Sequence, residues 1–166
     1  MPDPADLSAV ELLDAYRARA LSPVEVTEAV IARIEAWEPR LKALYAYQPE
    51  AARAAAKASE MRWMKGTPMP VGTAARDLVP MPEDAPVAAR LREAGLVMLA
   101  KTTMPDYGML SSGLSSFHEL ARNPRDLSKN PGGSSAGAGA AGAAGYGPHH
   151  IGTDIGGSIR LPAGWC

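Results

Sequence analysis

The stretch from residue 131 to 147 is almost wholly Gly, Ala and Ser, and this constrains the chain more than any other feature. Side chains this small bury little apolar area of their own, but they let neighbouring backbone approach closely. The composition predicts a buried helix over 135–146, packed tightly within a core. Gly137-Ala138-Gly139-Ala140-Ala141-Gly142 also satisfies G-x-G-x-x-G. A dinucleotide site needs that pattern between a strand and a helix. Here Ser128-Lys129-Asn130-Pro131 reads as a turn, so no nucleotide site is expected.

The first third of the chain reads as helices. Ser8 and Glu11 have capping-box spacing, and Ser22-Pro23-Val24-Glu25 repeats the signal with Pro at the first helical position. Val26, Val30 and Ile34 then share one face, and Glu38-Pro39 is expected to end that helix. Residues 44–47 suit a short strand. The alanine-rich run 51–64 predicts a helix stopped by Gly66. Residues 66–84 read as loop. Asp84-Ala85-Pro86 is expected to cap a helix reaching Ala94-Gly95. Leu96-Val97-Met98-Leu99-Ala100 is continuously apolar and predicts a buried strand. Helix, glycine and buried strand in that order indicate an α/β arrangement.

The 166 residues suffice for one domain with a core, and no repeat or linker divides them. A formal net charge of −1 gives no reason to expect nucleic acid as a partner. The single cysteine, Cys166, excludes a disulfide framework and a multi-cysteine metal site. The acidic start has no apolar core of the kind a secretory signal needs, and no apolar run is long enough to span a bilayer. The expectation is a cytoplasmic protein with no membrane partner; homo-oligomerisation stays open.

Chemistry concentrates on serines. Neither Ser134 nor Ser158 lies in a G-x-S-x-G elbow, because Ala136 and Arg160 replace the second glycine. No spacing assembles His118, His149 or His150 into a Ser-His-Asp triad, so surface or structural roles are expected for them. Gly156-Gly157-Ser158 offers backbone N–H groups that could approach a ligand closely. By chemistry alone, a glycine turn with a solvated serine is the better explanation.

The wording of the segment goes further. Gly132-Gly133-Ser134-Ser135-Ala136-Gly137, followed by Gly152-Thr153-Asp154-Ile155-Gly156-Gly157-Ser158-Ile159-Arg160-Leu161-Pro162-Ala163, resembles the amidase signature. Lys101-Thr102-Thr103-Met104-Pro105-Asp106-Tyr107, Asn123-Pro124 and Asn130-Pro131 resemble its flanking segments. The likeness extends over essentially the whole chain and is sharpest from about residue 84 onward. It implies an α/β fold with a mixed sheet sandwiched by helices. Residues 1–166 would form the N-terminal part of one such domain, with helices over 1–65 and the α/β part over 66–166. The implied activity is hydrolysis of a carboxylic amide, on a small-molecule substrate, with no metal or organic cofactor. The resemblance makes Ser158 the nucleophile and Ser134 a proton relay preceded by a cis peptide. It makes the N–H groups of Ile155, Gly156, Gly157 and Ser158 the oxyanion hole, with Ser135, Asp154 and Arg160 in support.

The triad of this family ends in a buried neutral lysine, and here that lysine has no counterpart. Its strand should precede a segment like 66–70, yet the helix ending at Lys65 runs straight into Gly66. Lys57 and Lys65 fit a helix surface, Lys101 matches a different family position, and the guanidinium of Arg76 is too basic to be neutral. The chain as it stands is therefore expected to be inactive. Two alternatives stand beside the amidase reading: a non-catalytic or degenerate relative, and the glutaminase subunit of a tRNA-dependent amidotransferase.

Overall fold

The computed structural model describes residues 3–18, 20–45, 47–61 and 84–166. Helix α1, Ala9–Arg17, starts on the expected capping box: Glu11 N–H donates to Ser8 Oγ, and Ser8 N–H donates to the Glu11 carboxylate at 2.7 Å. Helix α2, Pro23–Leu41, starts in the same way on Ser22 and Glu25. Each box satisfies two of the N–H groups that a helix start leaves without a partner.

Pro39 does not end α2. The helix runs on to Leu41 and stops at Lys42, which takes a left-handed conformation with φ 51° and returns its N–H to Glu38 O. Pro39 forfeits one helical hydrogen bond, but the added turn brings Leu41 into the core, where it is fully buried. Burial of a leucine, about 1.5–3 kcal/mol, outweighs one net hydrogen bond of about 1 kcal/mol.

Helix α3, Pro49–Met61, begins two residues before the predicted start, with Pro49 at its first position. Ala52 and Ala56 are buried, and Arg53 joins Glu28 of α2 to Glu50. The predicted stop at Gly66 and the loop beyond it lie outside the described residues. Helix α4, Pro86–Glu93, forms as expected and ends at Gly95, φ 86°. Asp84 does not cap it. Ala85 holds that position, and Asp84 pairs with Arg92 across the helix at 2.7 Å.

The strand predicted at 96–100 does not form; the antiparallel pairing falls just beyond it, where 101–103 meet 43–45 through a single bridge at the start of the strand predicted at 44–47. Leu44 bridges Thr102, Thr103 N–H donates to Ala43 O at 2.9 Å, and Tyr45 N–H donates to Lys101 O at 3.4 Å. Among the described residues no longer strand forms, and 96–100 is half-buried rather than buried. An all-apolar strand needs cover on both faces, and the described residues supply only part of it. Helix α5, Ala136–Ala143, lies within the predicted 135–146 and packs its alanines with Val30, Ile34, Leu41 and Tyr146. Helix α6, Arg160–Trp165, packs against α5. Among the described residues no helix is long and apolar enough to cross a membrane.

Candidate active site

The small residues of α5 are forced by their neighbours. A Cβ on Gly137 would lie 2.2 Å from Ala43 O and 2.4 Å from Thr103 N. Gly137 thus sits flush on the antiparallel pair, and its N–H donates to Thr103 O at 2.9 Å. On the other flank, a Cβ on Gly139 would lie 2.5 Å from the Pro162 Cβ of α6. The helix is wedged between two backbones, which seats the serine loop at its N-terminal end.

Ser134 and Ser135 lie in that loop. The Gly133–Ser134 peptide is cis, as the resemblance implied. Ser134 is 4% exposed, and a Cβ on Gly108 would approach its Oγ to 3.4 Å. Ser135 ties the loop to the second serine segment. Its Oγ accepts from Thr153 N–H at 3.1 Å, and its own N–H donates to Ser158 O at 3.1 Å. One backbone hydrogen bond therefore separates Ser158 from the residue after Ser134. Among the described residues, no direct hydrogen bond joins the two hydroxyls.

Asp154 organises the turn that carries Ser158. Its carboxylate accepts from the N–H groups of Gly157, Ile159 and Arg160, and from Nε and Nη2 of Arg160. The Arg160 side chain, then these backbone donors, hold the carboxyl far below the usual range. Of the four proposed oxyanion donors, the N–H of Gly157 is committed to Asp154 Oδ1 at 2.8 Å. Those of Ile155, Gly156 and Ser158 have no protein acceptor among the described residues. Open space surrounds the Gly156 Cα, and Ile155 is fully exposed.

The histidines take structural places. Nε2 of His118 lies within 3.1 Å of both Met104 N and Met104 O, and its ring stacks on Tyr45. His150 contacts Gly147 O, and His149 is exposed. An open cleft of about 670 Å³, lined among others by Ser8, Arg33, Pro148 and His150, contains neither serine. No described group of His, Cys, Asp and Glu could hold a metal ion.

The lysines divide sharply. Lys57 is exposed on α3; Lys65 and Arg76 lie outside the described residues. Lys101 Nζ is buried with no hydrogen-bond partner, and desolvation lowers its pKa to about 8, opposed by Asp84. An amine with that pKa is easier to deprotonate than an ordinary lysine, yet it is still mostly protonated at neutral pH. It makes no hydrogen bond to Ser134.

Sequence reasoning missed the loop over 104–118, whose Gly108 and Ser112 wall Ser134. The signal was present in Gly108 and Gly113, where the chain must come close to its neighbours.

The Amidase family model matches residues 60–166. The chain belongs to the amidase family. Three curated relatives, each the A component of a glutamyl-tRNA(Gln) amidotransferase, illustrate the likeness. That of Halorhodospira halophila is 42% identical over 92% of this chain and 36% of its own length. That of Geobacter metallireducens is 40% identical over 97% and 37%. That of Solidesulfovibrio magneticus aligns over 185 residues with this whole 166-residue chain, leaving about 19 positions without a counterpart here. Among solved structures, an amidase superposes with TM-score 0.85 at 34% identity, over 95% of this chain and 41% of the other. Native peptide amidase from Stenotrophomonas maltophilia gives 0.84 at 29%, over 96% and 38%. This amidase-family chain thus spans little more than a third of the relatives it matches. Its fold is α/β, the N-terminal portion of an amidase-signature domain.

Proposed function

We propose that this amidase-family chain carries the serine-bearing half of an amide-hydrolysing site. In this reading Ser158 attacks the carbonyl carbon of a small-molecule amide and is acylated, the amine leaves, and water then releases the acid. Ser134 carries the proton between Ser158 and the base. The N–H groups at 155–158 receive the charge that develops on the carbonyl oxygen. Asp154 and Arg160 hold the turn, and Ser135 couples the two serine loops. The observation that carries the reading is the hydrogen-bonded junction of Ser135 with Thr153 and Ser158, which draws the two signature segments together.

A serine hydroxyl needs a base behind it, and no described lysine hydrogen-bonds Ser134. The gap of about 19 positions against one relative is large enough to hold a strand bearing such a lysine. The 166-residue chain alone should therefore turn over little or nothing. Composition and the absence of a membrane-crossing helix among the described residues favour the cytoplasm.

A second reading has its own support. The curated relatives described above are components of amidotransferases, so the site could release ammonia from glutamine beside partner proteins. Ammonia release by a complete domain carrying this segment separates the two. Hydrolysis of simple or aryl amides without partners supports a free-standing amidase. Activity confined to glutamine and dependent on added partner proteins supports the amidotransferase role. No release from any amide would overturn both.

A further inference from the structure

We propose that Asp106 is a positioning residue for Ser134, acting through the loop 104–118 that it closes. The inference rests on Ser134 being the proton relay, since only then does the placement of its hydroxyl matter to the reaction.

The loop has two locks. At its base the His118 ring contacts both backbone polar groups of Met104 through Nε2 and Glu119 O through Nδ1 at 2.9 Å. Inside that, Asp106 Oδ1 accepts from Ser115 Oγ at 2.8 Å and Ser116 N–H at 2.9 Å, and Oδ2 accepts from Ser116 Oγ at 2.5 Å. Three donors to one carboxylate are charge-assisted bonds, stronger than neutral ones. They bring residue 116 back to residue 106.

What the locks enclose is the wall of the serine loop. Tyr107 and Gly108 both turn through positive φ, 53° and 71°, and this turns the Cβ side of Gly108 toward Ser134, where a Cβ would sit 3.4 Å from the hydroxyl oxygen. A Cβ on Gly133 would lie 2.4 Å from Ser112 O and 2.5 Å from Ser112 N, so that backbone lies directly on Gly133. A Cβ on Gly113 would lie 3.0 Å from the Cβ atoms of Ala121 and Ala136. The loop therefore abuts Gly133, Ser134 and Ala136. It also leaves the large side chains of Met109, Leu110 and Leu114 exposed. Its apolar residues thus contribute little to holding it down, and the carboxylate lock carries more of that task.

The test uses position 134 as a reporter and needs no turnover. Ser134→Cys is combined with Cys166→Ser, which removes the one native thiol. The reaction of the thiol introduced at position 134 with a small aromatic disulfide is followed by absorbance. Asp106→Ala removes all three bonds and should speed that reaction at least about tenfold, the change that the loss of even one charge-assisted hydrogen bond supports. Asp106→Glu should return the rate most of the way, because a carboxylate is still available to Ser116. Asp126→Ala removes a similar carboxylate–serine turn, Asp126 with Ser128 at 2.7 Å, and should leave the rate within about twofold. An Asp106→Ala rate within twofold of the parent, no rescue by Glu, or equal acceleration by Asp126→Ala would overturn the proposal. Should Ser134→Cys fail to fold, hydrogen exchange with native Ser134 decides. Asp106→Ala must then release the amides of Gly108, Met109 and Ser116, and unchanged protection would overturn the inference. Full activity of a complete domain bearing Ser134→Ala would instead remove the relay role and leave the loop measurement standing.

Discussion

Replacing Gly137 by Ala should destabilise the fold although alanine is the better helix former. Helix propensity alone favours Ala over Gly by about 1 kcal/mol. Against this stands the contact surface. The new Cβ would lie 2.2 Å from Ala43 O, 2.4 Å from Thr103 N and 2.6 Å from Thr103 Oγ1. Two of these are backbone atoms of the antiparallel pair, and neither can rotate away. Relief requires α5 to move off the pair, weakening the bond from Gly137 N–H to Thr103 O at 2.9 Å. Overpacking of about 1–3 kcal/mol plus one net hydrogen bond of about 1 kcal/mol, less the propensity gain, leaves about 1–3 kcal/mol of destabilisation. For a chain of this size that is a fall in Tm of roughly 2–12 °C. Gly142→Ala, in the same helix, is the matched control. Its Cβ would meet only the His150 ring, at 3.4 Å, so it should be neutral or stabilising by up to about 1 kcal/mol. Urea denaturation of the three proteins measures both. A Gly137→Ala protein as stable as the parent, or a Gly142→Ala protein that falls equally, would refute close backbone approach as the reason for the glycine.

Two further predictions concern charge. Asp154 has a depressed pKa, so the stability it lends the Ser158 turn is present above the ordinary carboxylate pKa and is lost only as pH falls through the depressed value. Hydrogen-exchange protection of the Gly157 and Ile159 amides should persist below the pH at which ordinary carboxylates protonate, and Asp154→Asn should weaken it at neutral pH. Glu38 behaves oppositely: burial raises its pKa despite hydrogen bonds from Leu44 N–H, Ala43 N–H and Tyr146 O–H. Its charged form is the costly one, so stability should rise as pH falls through that raised pKa. Glu38→Gln should remove this rise while its amide oxygen still accepts from Leu44, as thermal melts across pH would record.

Local signals in the sequence read truly where the physics was local. The boxes at Ser8 and Ser22 started α1 and α2 because each involves residues three apart. The all-Gly-Ala-Ser run marked α5 because only small side chains fit between 43, 103 and 162. Pro39 misled because burial of Leu41, distant in sequence from its partners, overrides a local stop. Asp84 misled because its partner, Arg92, lies eight residues on. The serine motif named its residues but not the wall around them. That wall depends on Asp106 meeting residues 115 and 116 and on Ser112 lying against Gly133, contacts that no periodicity announces.

The most direct test of the central claim is to expose a complete amidase domain carrying this segment, and the 166-residue chain alone, to a serine-directed fluorophosphonate and map the modified peptide. We expect the complete domain to be modified at Ser158, and the 166-residue chain to show no modification because no described lysine hydrogen-bonds Ser134. Modification of a different serine in the complete domain would contradict the assignment of Ser158 as nucleophile, and rapid modification of Ser158 in the 166-residue chain would contradict the dependence on a missing base.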